Sequence, residues 1–588
     1  MAVKRVKVIG IICILLFIFL LGRLVQVQLL QTESFTGRRI NLMEASVRQR
    51  TQVLPIDNGR GKFLDKDGVP LGHITIPTLV LFPFLKQMDW PAREVSEAAG
   101  IQEEDLLKAV KDAKKPFAFG GKHPVTLTDG QMEKINSLKI PGVFAVRQSF
   151  KKKMPAEHLI GTLTRAQSQK KKLYRNRDLP SGVEVGNTGL QAAFDEFLLS
   201  EGESKLIYHV DGRGGPLFGV DVKYSEPANP LYPVSVVTTI DSDLQHIAET
   251  LVDQHEIKNG GLILLDIESS EIRAVVSRPH ISTNDPNAHS ENKMFSQAKI
   301  GSVFKTVVAA AAIDYGLAKN GRQFDCSRTI NGTPDRKRTL GFLNFEESFA
   351  QSCNRAFGEL AGELAKKDPE ILEEYAGKLH LVGLSGWHGQ IFHSEIKQLY
   401  QEDSGMVWGK KADKQNSRLA AHTGIGQQDV QVTPLAAANM MAEIARGGKA
   451  EMVKAVSRVE FKDGSTAALF TRQNMSGGIS PYTAIKLQAM LRGVVTSGKG
   501  TGRAFQGLPY EVAGKSGTAQ TGKKQSGQEL YNKWFAGYFP YKNPKYALVA
   551  VNLDVPENLG GINPLFYDMV REVYLQETGR KGGEGAER

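Results

Sequence analysis

Three short blocks of residues in the C-terminal half of this 588-residue chain constrain its fold and chemistry most. They are residues 301–305 (GSVFK), 351–354 (QSCN) and 514–519 (GKSGTA). Each block alone is a weak signal, because such short patterns arise by chance in a chain of this length. In this order, and on suitable local structure, the blocks together supply a nucleophile, a base, a proton relay and a cationic clamp for an anion.

The first block lies at the start of an apolar, alanine-rich segment, residues 303–313 (VFKTVVAAAAI), which predicts a helix. Ser302 and Lys305 are three residues apart and therefore share one face of that helix. A serine hydroxyl becomes a good nucleophile when a neighbouring base takes its proton, and a lysine becomes such a base when burial lowers its pKa. The helix N-terminus would also direct amide N–H groups at an oxyanion. The alternative is a core helix with one lysine that reaches solvent.

The second block lies within residues 345–357 (FEESFAQSCNRAF), where the apolar spacing predicts two helix ends around a short polar turn. Ser352 is suited to relay a proton between the lysine and a leaving group. Asn354 is suited to hydrogen-bond a substrate amide. The alternative is that both residues only cap a helix, because serine and asparagine are favoured N-caps.

The third block predicts a strand, because an alternating run (residues 518–521) follows it and residues 532–540 (NKWFAGYFP) form a second strand to pair with it. Its candidate substrate-binding residues are Lys515, Ser516, Gly517 and Thr518. On a strand, the cation and the hydroxyls can hold a carboxylate, and the glycine lets a substrate backbone approach closely. A phosphate-binding P-loop is excluded, because Pro509 stands where that motif requires its first glycine.

These blocks resemble the S-x-x-K, S-x-N and K-[ST]-G signatures of penicillin-binding proteins and related serine acyltransferases. Residues 60–68 (RGKFLDKDG) resemble a signature of the class B, monofunctional members, and the chain looks most like those of Gram-positive bacilli. The departures are Phe63 at an aliphatic position, Ile300 where proline is frequent, and Ser516 where threonine is usual. Further segments that resemble the family are residues 237–241 (VTTID), 260–266 and 271–277 (a hairpin), 424–427 (GIGQ), 432–435 (VTPL) and 534–540 (WFAGYFP).

The resemblance implies an α+β protein with an N-terminal transmembrane helix. Residues 1–30 would form the cytoplasmic tip and the anchor, and residues 31–230 an elongated, non-catalytic pedestal like the family's dimerisation domain. Residues 231–578 would form the transpeptidase domain, an antiparallel sheet flanked by helices as in serine β-lactamases. Residues 579–588 would be a disordered tail. Within the pedestal region, the residues predict an extended segment at 74–83 and helices at 103–113 and 131–138.

The resemblance also implies a peptidoglycan D,D-transpeptidase that works through an acyl-serine. Ser302 would attack a stem peptide ending in D-Ala-D-Ala, Lys305 would act as base, Ser352 would relay the proton, and Asn354 would orient the peptide. Lys515, Ser516 and Thr518 would bind the terminal carboxylate, and the amides of Ser302 and Thr518 would form the oxyanion hole. The same serine would be acylated by β-lactams, and no metal or organic cofactor is implied. Whether Lys305 or another group takes the first proton stays open.

Composition agrees with a folded extracytoplasmic protein. The net charge is +11 and the pI about 9.2, yet no nucleic-acid-binding signature is present. The lysine runs at 151–153 and 170–172 are predicted to be solvated loops. A basic exterior suits a neighbourhood of anionic membrane and cell-wall polymers. The expected partners are stem peptides, β-lactams and the cell membrane, with a lipid II polymerase or a division or spore-wall protein as a further candidate.

The N-terminus predicts membrane topology. Residues 8–22 are uncharged and strongly apolar, and Lys4, Arg5 and Lys7 precede them. The alternative is a cleaved signal peptide, but no small-x-small cleavage site follows. The positive-inside rule then places the N-terminus in the cytoplasm and the rest of the chain outside.

The three cysteines are Cys13, Cys326 and Cys353, and the sequence does not tell whether the last two pair. Their spacing contains no C-x-x-C pattern and indicates no zinc site. Two rival functions are a β-lactam sensor or β-lactamase on the same fold, and a largely structural scaffold of a wall-synthesis complex. The complete set of blocks disfavours the scaffold, and the long region before the catalytic blocks disfavours the lactamase. The growth stage, the acceptor amine and the oligomeric state stay undetermined.

Overall fold

The computed structural model describes residues 2–579 except 32–40, 122, 176–178, 180, 181, 201, 212–214, 216–221, 228, 283, 286, 287 and 320. The predicted tail therefore lies outside the described residues, apart from Gly579. The described chain mixes helices and short strands, which confirms the predicted α+β class. It divides into two compact units, the first made of Met1–Gly59, Ile74–Lys151 and Glu201–Asn229, and the second of Arg60–His73, Lys152–Ser200 and Pro230–Arg588.

The α-helices are α1 (Ala2–Val25), α2 (Leu42–Arg50), α3 (Ala92–Ala99), α4 (Glu103–Asp112), α5 (Asp129–Ser137), α6 (Glu157–Ile160), α7 (Gln167–Leu173), α8 (Gly189–Ala193), α9 (Asp195–Leu198), α10 (Ser242–Gln254), α11 (Lys305–Asp314), α12 (Phe345–Ala350), α13 (Asn354–Lys367), α14 (Ile371–Lys378), α15 (Ser417–Gly424), α16 (Pro434–Ala445), α17 (Pro481–Thr496) and α18 (Asn563–Thr578). A π-helical turn (Gln26–Leu30) continues α1, and 3₁₀ turns span Pro83–Gln87, Gly301–Phe304, Lys411–Gln415 and Arg503–Phe505.

The strands are β1 (Thr51–Asp57), β2 (Lys62–Leu64), β3 (Pro70–Leu71), β4 (His73–Leu81), β5 (Phe117–Ala118), β6 (Val143–Lys151), β7 (Leu163–Thr164), β8 (Val185–Gly186), β9 (Ser204–His209), β10 (Lys223–Ser225), β11 (Ser235–Thr238), β12 (Gly260–Asp266), β13 (Glu271–Arg278), β14 (Ala298–Lys299), β15 (Phe324–Asp325), β16 (Phe342–Leu343), β17 (His388–Ile391), β18 (Ser394–Lys397), β19 (Gln431–Val432), β20 (Val456–Glu460), β21 (Thr466–Leu469), β22 (Ala513–Gln525), β23 (Gln528–Phe539) and β24 (Tyr546–Pro556).

The N-terminal helix is the one described helix that is long and apolar enough to cross a membrane, over Lys4–Leu30. Its apolar side chains are exposed along its length, as in Phe17 and Phe19. An isolated helix with such a surface is unstable in water, because each exposed side chain forgoes the free energy of burial. The exposed apolar surface of this helix is consistent with a membrane anchor.

The first unit contains two three-stranded sheets, ordered β1-β9-β10 and β5-β4-β6. Strand β4 and helices α4 and α5 lie where the sequence predicts an extended segment and two helices. Helix α5 begins with a capping box, in which the Thr128 side chain accepts from the Gln131 amide and the Gln131 side chain accepts from the Thr128 amide. Elsewhere in this unit the rings of Phe84 and Tyr208 are stacked, with their centres 4.4 Å apart.

The second unit is built on an antiparallel five-stranded sheet in the order β13-β12-β24-β23-β22. Side chains on a strand alternate between the two faces of the sheet. Accordingly, Leu262 and Leu264 of β12 pack in the core with α10 and α18, whereas Ile263 and Leu265 pack in the core with α11 and α16. The sheet is therefore buried on both faces, and β22 forms one edge.

Helix α11 is buried on all sides, with Val307 to Ala312 at 0 % exposure. Its run of alanines allows this, because small side chains let neighbouring elements approach from every direction. The predicted hairpin at 260–277 and the pairing of 514–520 with 531–537 are both confirmed. One minor prediction is wrong: the lysine run at 170–172 is not a loop but lies on α7, and Lys170 is only 2 % exposed.

Candidate active site

Ser302 lies on the 3₁₀ turn Gly301–Phe304, immediately before α11. Side chains at i and i+3 eclipse one another on a 3₁₀ turn, so Ser302 and Lys305 stack on one face. Gly301 has φ +61°, and a Cβ atom there would lie 2.4 Å from the carbonyl oxygen of Thr518. Only glycine permits this approach, which brings the nucleophile candidate against the third block.

The Lys305 ammonium joins the first block to the second. Its Nζ donates to the carbonyl oxygen of Ser352 (2.9 Å), to Ser352 Oγ (3.1 Å) and to Asn354 Oδ1 (2.7 Å). The Ser302 hydroxyl has no hydrogen-bond partner among the described residues, and it is half-buried. The lysine thus holds the second block in place, while the serine oxygen is left free to react.

Burial governs the charge of this lysine. Lys305 is 0 % exposed, and desolvation holds its pKa well below the ordinary lysine value of 10.5. The neighbouring positive charges of Lys515 and Arg338 lower that pKa further. A lysine whose pKa is lowered in this way can be neutral near physiological pH and accept a proton from a hydroxyl.

The turn between α12 and α13 presents the second block. Ser352 has φ +56°, an unusual backbone conformation for a residue with a side chain, and Asn354 begins α13. Between them, Cys353 forms a disulfide with Cys326 and its Sγ accepts from the amide of Ala356. The pairing that the sequence left open is therefore present, and it fixes the base of the turn that carries both candidate residues.

The third block lies on β22. Lys515 is 0 % exposed, its Nζ donates to the carbonyl oxygen of Ser516 (3.1 Å), and burial together with Arg338 lowers its pKa to about 7. A Cβ atom on Gly517 would lie 2.6 Å from the carbonyl oxygen of Ile300, so this position also requires glycine. Thr518 is exposed. The strand thus exposes Thr518 to solvent and buries the amine of Lys515.

Two aromatic rings connect the buried lysines. The Lys305 ammonium lies 5.8 Å from the ring centre of Phe357, and the Lys515 ammonium lies 5.7 Å from that of Phe349. The two rings contact each other, with centres 5.7 Å apart. Cation–π attraction favours the charged forms and partly offsets the cost of burying two amines beside each other.

Three further polar residues outside the three blocks, Thr501, Arg338 and Gln427, bond to the second or third block. Ser516 Oγ donates to Thr501 Oγ1 (2.8 Å), Arg338 donates to the carbonyl oxygen of Gln351, and Gln427 bridges the carbonyl oxygen of Thr518 (3.3 Å) and the amide of Gln520 (3.2 Å). The neighbouring GTG at 500–502 and GIGQ at 424–427 are the signals that point to Thr501 and Gln427. No comparable signal marks Arg338.

The site therefore brings all three blocks together. Asn354 and Thr518 are exposed and Ser302 is half-buried, whereas Ser352 and the two amines are buried. Within the described residues, no group of three or more histidine, cysteine or acidic side chains is arranged to hold a metal ion. The arrangement suits acyl transfer to a serine, with a low-pKa amine as base and a cationic strand edge for an anionic substrate.

The three blocks lie together beside an antiparallel sheet that has helices on both faces. The sequence profile described as "Penicillin binding protein transpeptidase domain" matches residues 260–570, more than half of the chain. The chain belongs to this family, which confirms the resemblance drawn from the three blocks.

Relatives extend the similarity beyond that domain. "Stage V sporulation protein D" of Bacillus subtilis is 24 % identical over 580 residues, covering 94 % of this chain and 82 % of its own. "Peptidoglycan D,D-transpeptidase MrdA" of Acinetobacter baumannii is 23 % identical over 566 residues, covering 86 % and 79 %. A solved structure titled "Structural coordination of polymerization and crosslinking by a peptidoglycan synthase complex" has a TM-score of 0.63 at 21 % identity, covering 99 % of this chain and all of that one. The similarity to this solved structure shows a shared fold.

Proposed function

We propose that this protein is a membrane-anchored, class B peptidoglycan D,D-transpeptidase that acts through a covalent acyl-Ser302. One observation carries the proposal: the buried Lys305 ammonium bonds to Ser352 and Asn354 beside the free Ser302 hydroxyl. This arrangement places the base in hydrogen bonds with the relay, Ser352, and three residues after the nucleophile at the start of the same helix. A scaffold protein has no need of two buried amines, which cost free energy of folding.

In the acylation step, neutral Lys305 takes the proton of Ser302 as Oγ attacks the carbonyl carbon of the penultimate D-Ala. The developing oxyanion is held by the backbone N–H groups of Ser302 and Thr518. The bond between the two D-Ala residues then breaks, and Ser352 passes the proton from Lys305 to the departing amine. The peptide becomes an ester of Ser302, and one D-Ala is released. A β-lactam reacts by the same route, with its ring amide bond broken and its nitrogen protonated.

In the second step, an amine of a neighbouring stem peptide attacks the ester carbonyl. The same base system takes a proton from that amine, an amide forms, and Ser302 Oγ regains its hydrogen. Water in place of the amine gives hydrolysis, a carboxypeptidase reaction. During both steps Asn354 orients the peptide, and Lys515, Ser516 and Thr518 bind the terminal carboxylate while Gly517 leaves room for the peptide backbone.

We further propose that α1 is an uncleaved anchor with Lys4, Arg5 and Lys7 on the cytoplasmic side. The disulfide between Cys326 and Cys353 supports the placement of the second unit outside the cytoplasm, because disulfides persist in oxidising compartments. Protease added to spheroplasts should digest the bulk of the chain. Protection of an intact C-terminal tag would contradict this orientation.

The lactamase alternative requires a second base that activates water. Two acidic residues, Glu346 and Glu347, lie on α12 just before the second block, and both are exposed. The Glu347 carboxylate is used to cap α12, where it accepts from the amide of Asn344 (3.0 Å). These observations favour a slowly hydrolysed acyl-enzyme over rapid turnover of lactams.

The test is covalent labelling of the full chain in membranes with a fluorescent penicillin. Ser302→Ala should abolish labelling, because it removes the proposed nucleophile. Ser296→Ala is the matched control and should label normally, because it removes a hydroxyl of the same unit that bonds the carbonyl oxygen of Asn292 and the carboxylate of Glu291. Normal labelling of Ser302→Ala would refute the assignment of the nucleophile.

A further inference from the structure

The loop between β15 and β16 ends in a defined turn that presents Arg338. The Asp335 carboxylate accepts from the amides of Lys337 (2.9 Å) and Arg338 (3.0 Å). The Asp335 amide in turn donates to the carbonyl oxygen of Ser327 (2.8 Å). At the base of the loop, Cys326 is joined covalently to the second block. The turn is thus held by the chain itself before any substrate is bound.

Three successive carbonyl oxygens locate the guanidinium of Arg338. The carbonyl oxygen of Ala350 accepts a hydrogen bond from the amide of Thr501 (3.1 Å). The carbonyl oxygen of Gln351 accepts one from Arg338 Nη2 (2.5 Å). The carbonyl oxygen of Ser352 accepts one from Lys305 Nζ (2.9 Å). Successive residues lie about 3.8 Å apart along the chain. The guanidinium therefore lies between the proposed base and Thr501, which bonds Ser516 of the proposed carboxylate site.

We propose that Arg338 is a substrate-binding residue that pairs with the terminal carboxylate of the peptide or β-lactam, together with Lys515 and Ser516. This inference rests on the proposed function and adds a residue outside the three motifs. Only one N–H of the Arg338 guanidinium has a partner among the described residues, and the side chain is exposed, so further donors are available. A guanidinium has five N–H donors and binds carboxylates in pairs of parallel bonds.

The charges of the site explain why a third cation is useful there. Lys305 must be neutral to act as base, and burial with a neighbouring positive charge lowers the pKa of Lys515 to about 7. Neither buried amine therefore guarantees a full positive charge at neutral pH. An arginine keeps its charge throughout the physiological range. Arg338 supplies that permanent charge at the mouth of the site, where the carboxylate arrives.

The experiment compares two labelling reagents on the full chain in detergent: benzylpenicillin, which carries a carboxylate, and its uncharged methyl ester. The second-order rate of labelling at Ser302 is measured for wild type, Arg338→Gln, Arg338→Lys and the control Arg336→Gln. Arg336 is an exposed arginine two residues away in the same loop. We expect Arg338→Gln to slow benzylpenicillin about 10- to 100-fold, as for loss of a hydrogen bond to a charged group. The methyl ester should be slowed less than benzylpenicillin, because loss of the Arg338 charge raises the pKa of Lys305 but removes no contact to a carboxylate. Arg338→Lys should recover part of the loss, and Arg336→Gln should match wild type.

The comparison separates the possible failures. Equal rates for wild type and Arg338→Gln with benzylpenicillin would overturn the inference. Equal slowing with both reagents would also overturn it, because Arg338 would then act on the lysines or on folding and not on the carboxylate. An unlabelled Ser302 in wild type with both reagents would refute the proposed function itself. Retained ester labelling in Arg338→Gln, with benzylpenicillin slowed, shows that the variant is folded and supports the inference.

Discussion

The disulfide between Cys326 and Cys353 offers a sharp test, because Cys353 separates the two second-block residues that bond Lys305. The double variant Cys326→Ser/Cys353→Ser removes the cross-link. A serine at 353 can still accept the hydrogen bond that Sγ accepts from the amide of Ala356, since serine is a favoured N-cap. The variant therefore isolates the effect of the cross-link from that of the helix cap.

The magnitude follows from the closed loop. The two cysteines are 27 residues apart in sequence. Chain-entropy theory then gives a loss of about 3.6 kcal/mol in the free energy of unfolding at 25 °C. The geometry of the turn should loosen as well, and misplacement of a base by about 1 Å can cost up to about 100-fold in rate. We expect both a less stable second unit and slower acylation of Ser302.

Urea unfolding, followed by fluorescence, and penicillin labelling measure the two effects. Wild type treated with a reductant should behave like the double variant, whereas Cys13→Ser, which removes the free cysteine, should behave like untreated wild type. Unfolding of the double variant at the same urea concentration as wild type, with an unchanged labelling rate, would refute the reasoning. It would mean that packing alone holds the turn.

Three further outcomes are expected. The second-order rate constant of acylation should have a bell-shaped dependence on pH. It should rise as Lys305 loses its proton, and fall as Lys515, with a pKa of about 7, loses the charge that binds carboxylates. A rate constant that rises steadily to pH 10 would contradict this. The penicilloyl adduct on Ser302 should persist for minutes to hours, because the site lacks a base that activates water for deacylation, an effect worth roughly 10²–10⁴-fold in rate. Intact-mass spectrometry measures the adduct, and rapid turnover without an adduct would favour a lactamase. Arg60→Ala should lower the free energy of unfolding by about 3–5 kcal/mol. The reason is that the buried carboxylate of Asp195, which pairs with Arg60 at 2.6 Å in the wild type, is left without its cation. Urea unfolding measures this loss, and the double variant Arg60→Ala/Asp195→Ala should restore part of it.

The sequence alone determined the elements that depend on local pattern. The apolar run at 303–313 predicted a buried helix, and the alternating segments at 260–277 and 514–540 predicted the strands that pair. The motif spacing selected the family, because residues three apart on a helix, or alternate on a strand, have their mutual positions fixed by backbone geometry. Such features require no knowledge of distant contacts.

Only the tertiary structure decided which distant groups meet. The pairing of Cys326 with Cys353, the burial of both lysines and the place of Arg338 depend on packing between segments far apart in the chain. Arg338 lies in a loop whose sequence resembles any exposed basic turn. The Arg338 side chain lies near Lys305 because the Asp335 turn, the disulfide and the carbonyl oxygen of Gln351 fix the orientation of its guanidinium. A local sequence pattern cannot encode that direction, because it is set by contacts formed only when the whole unit folds.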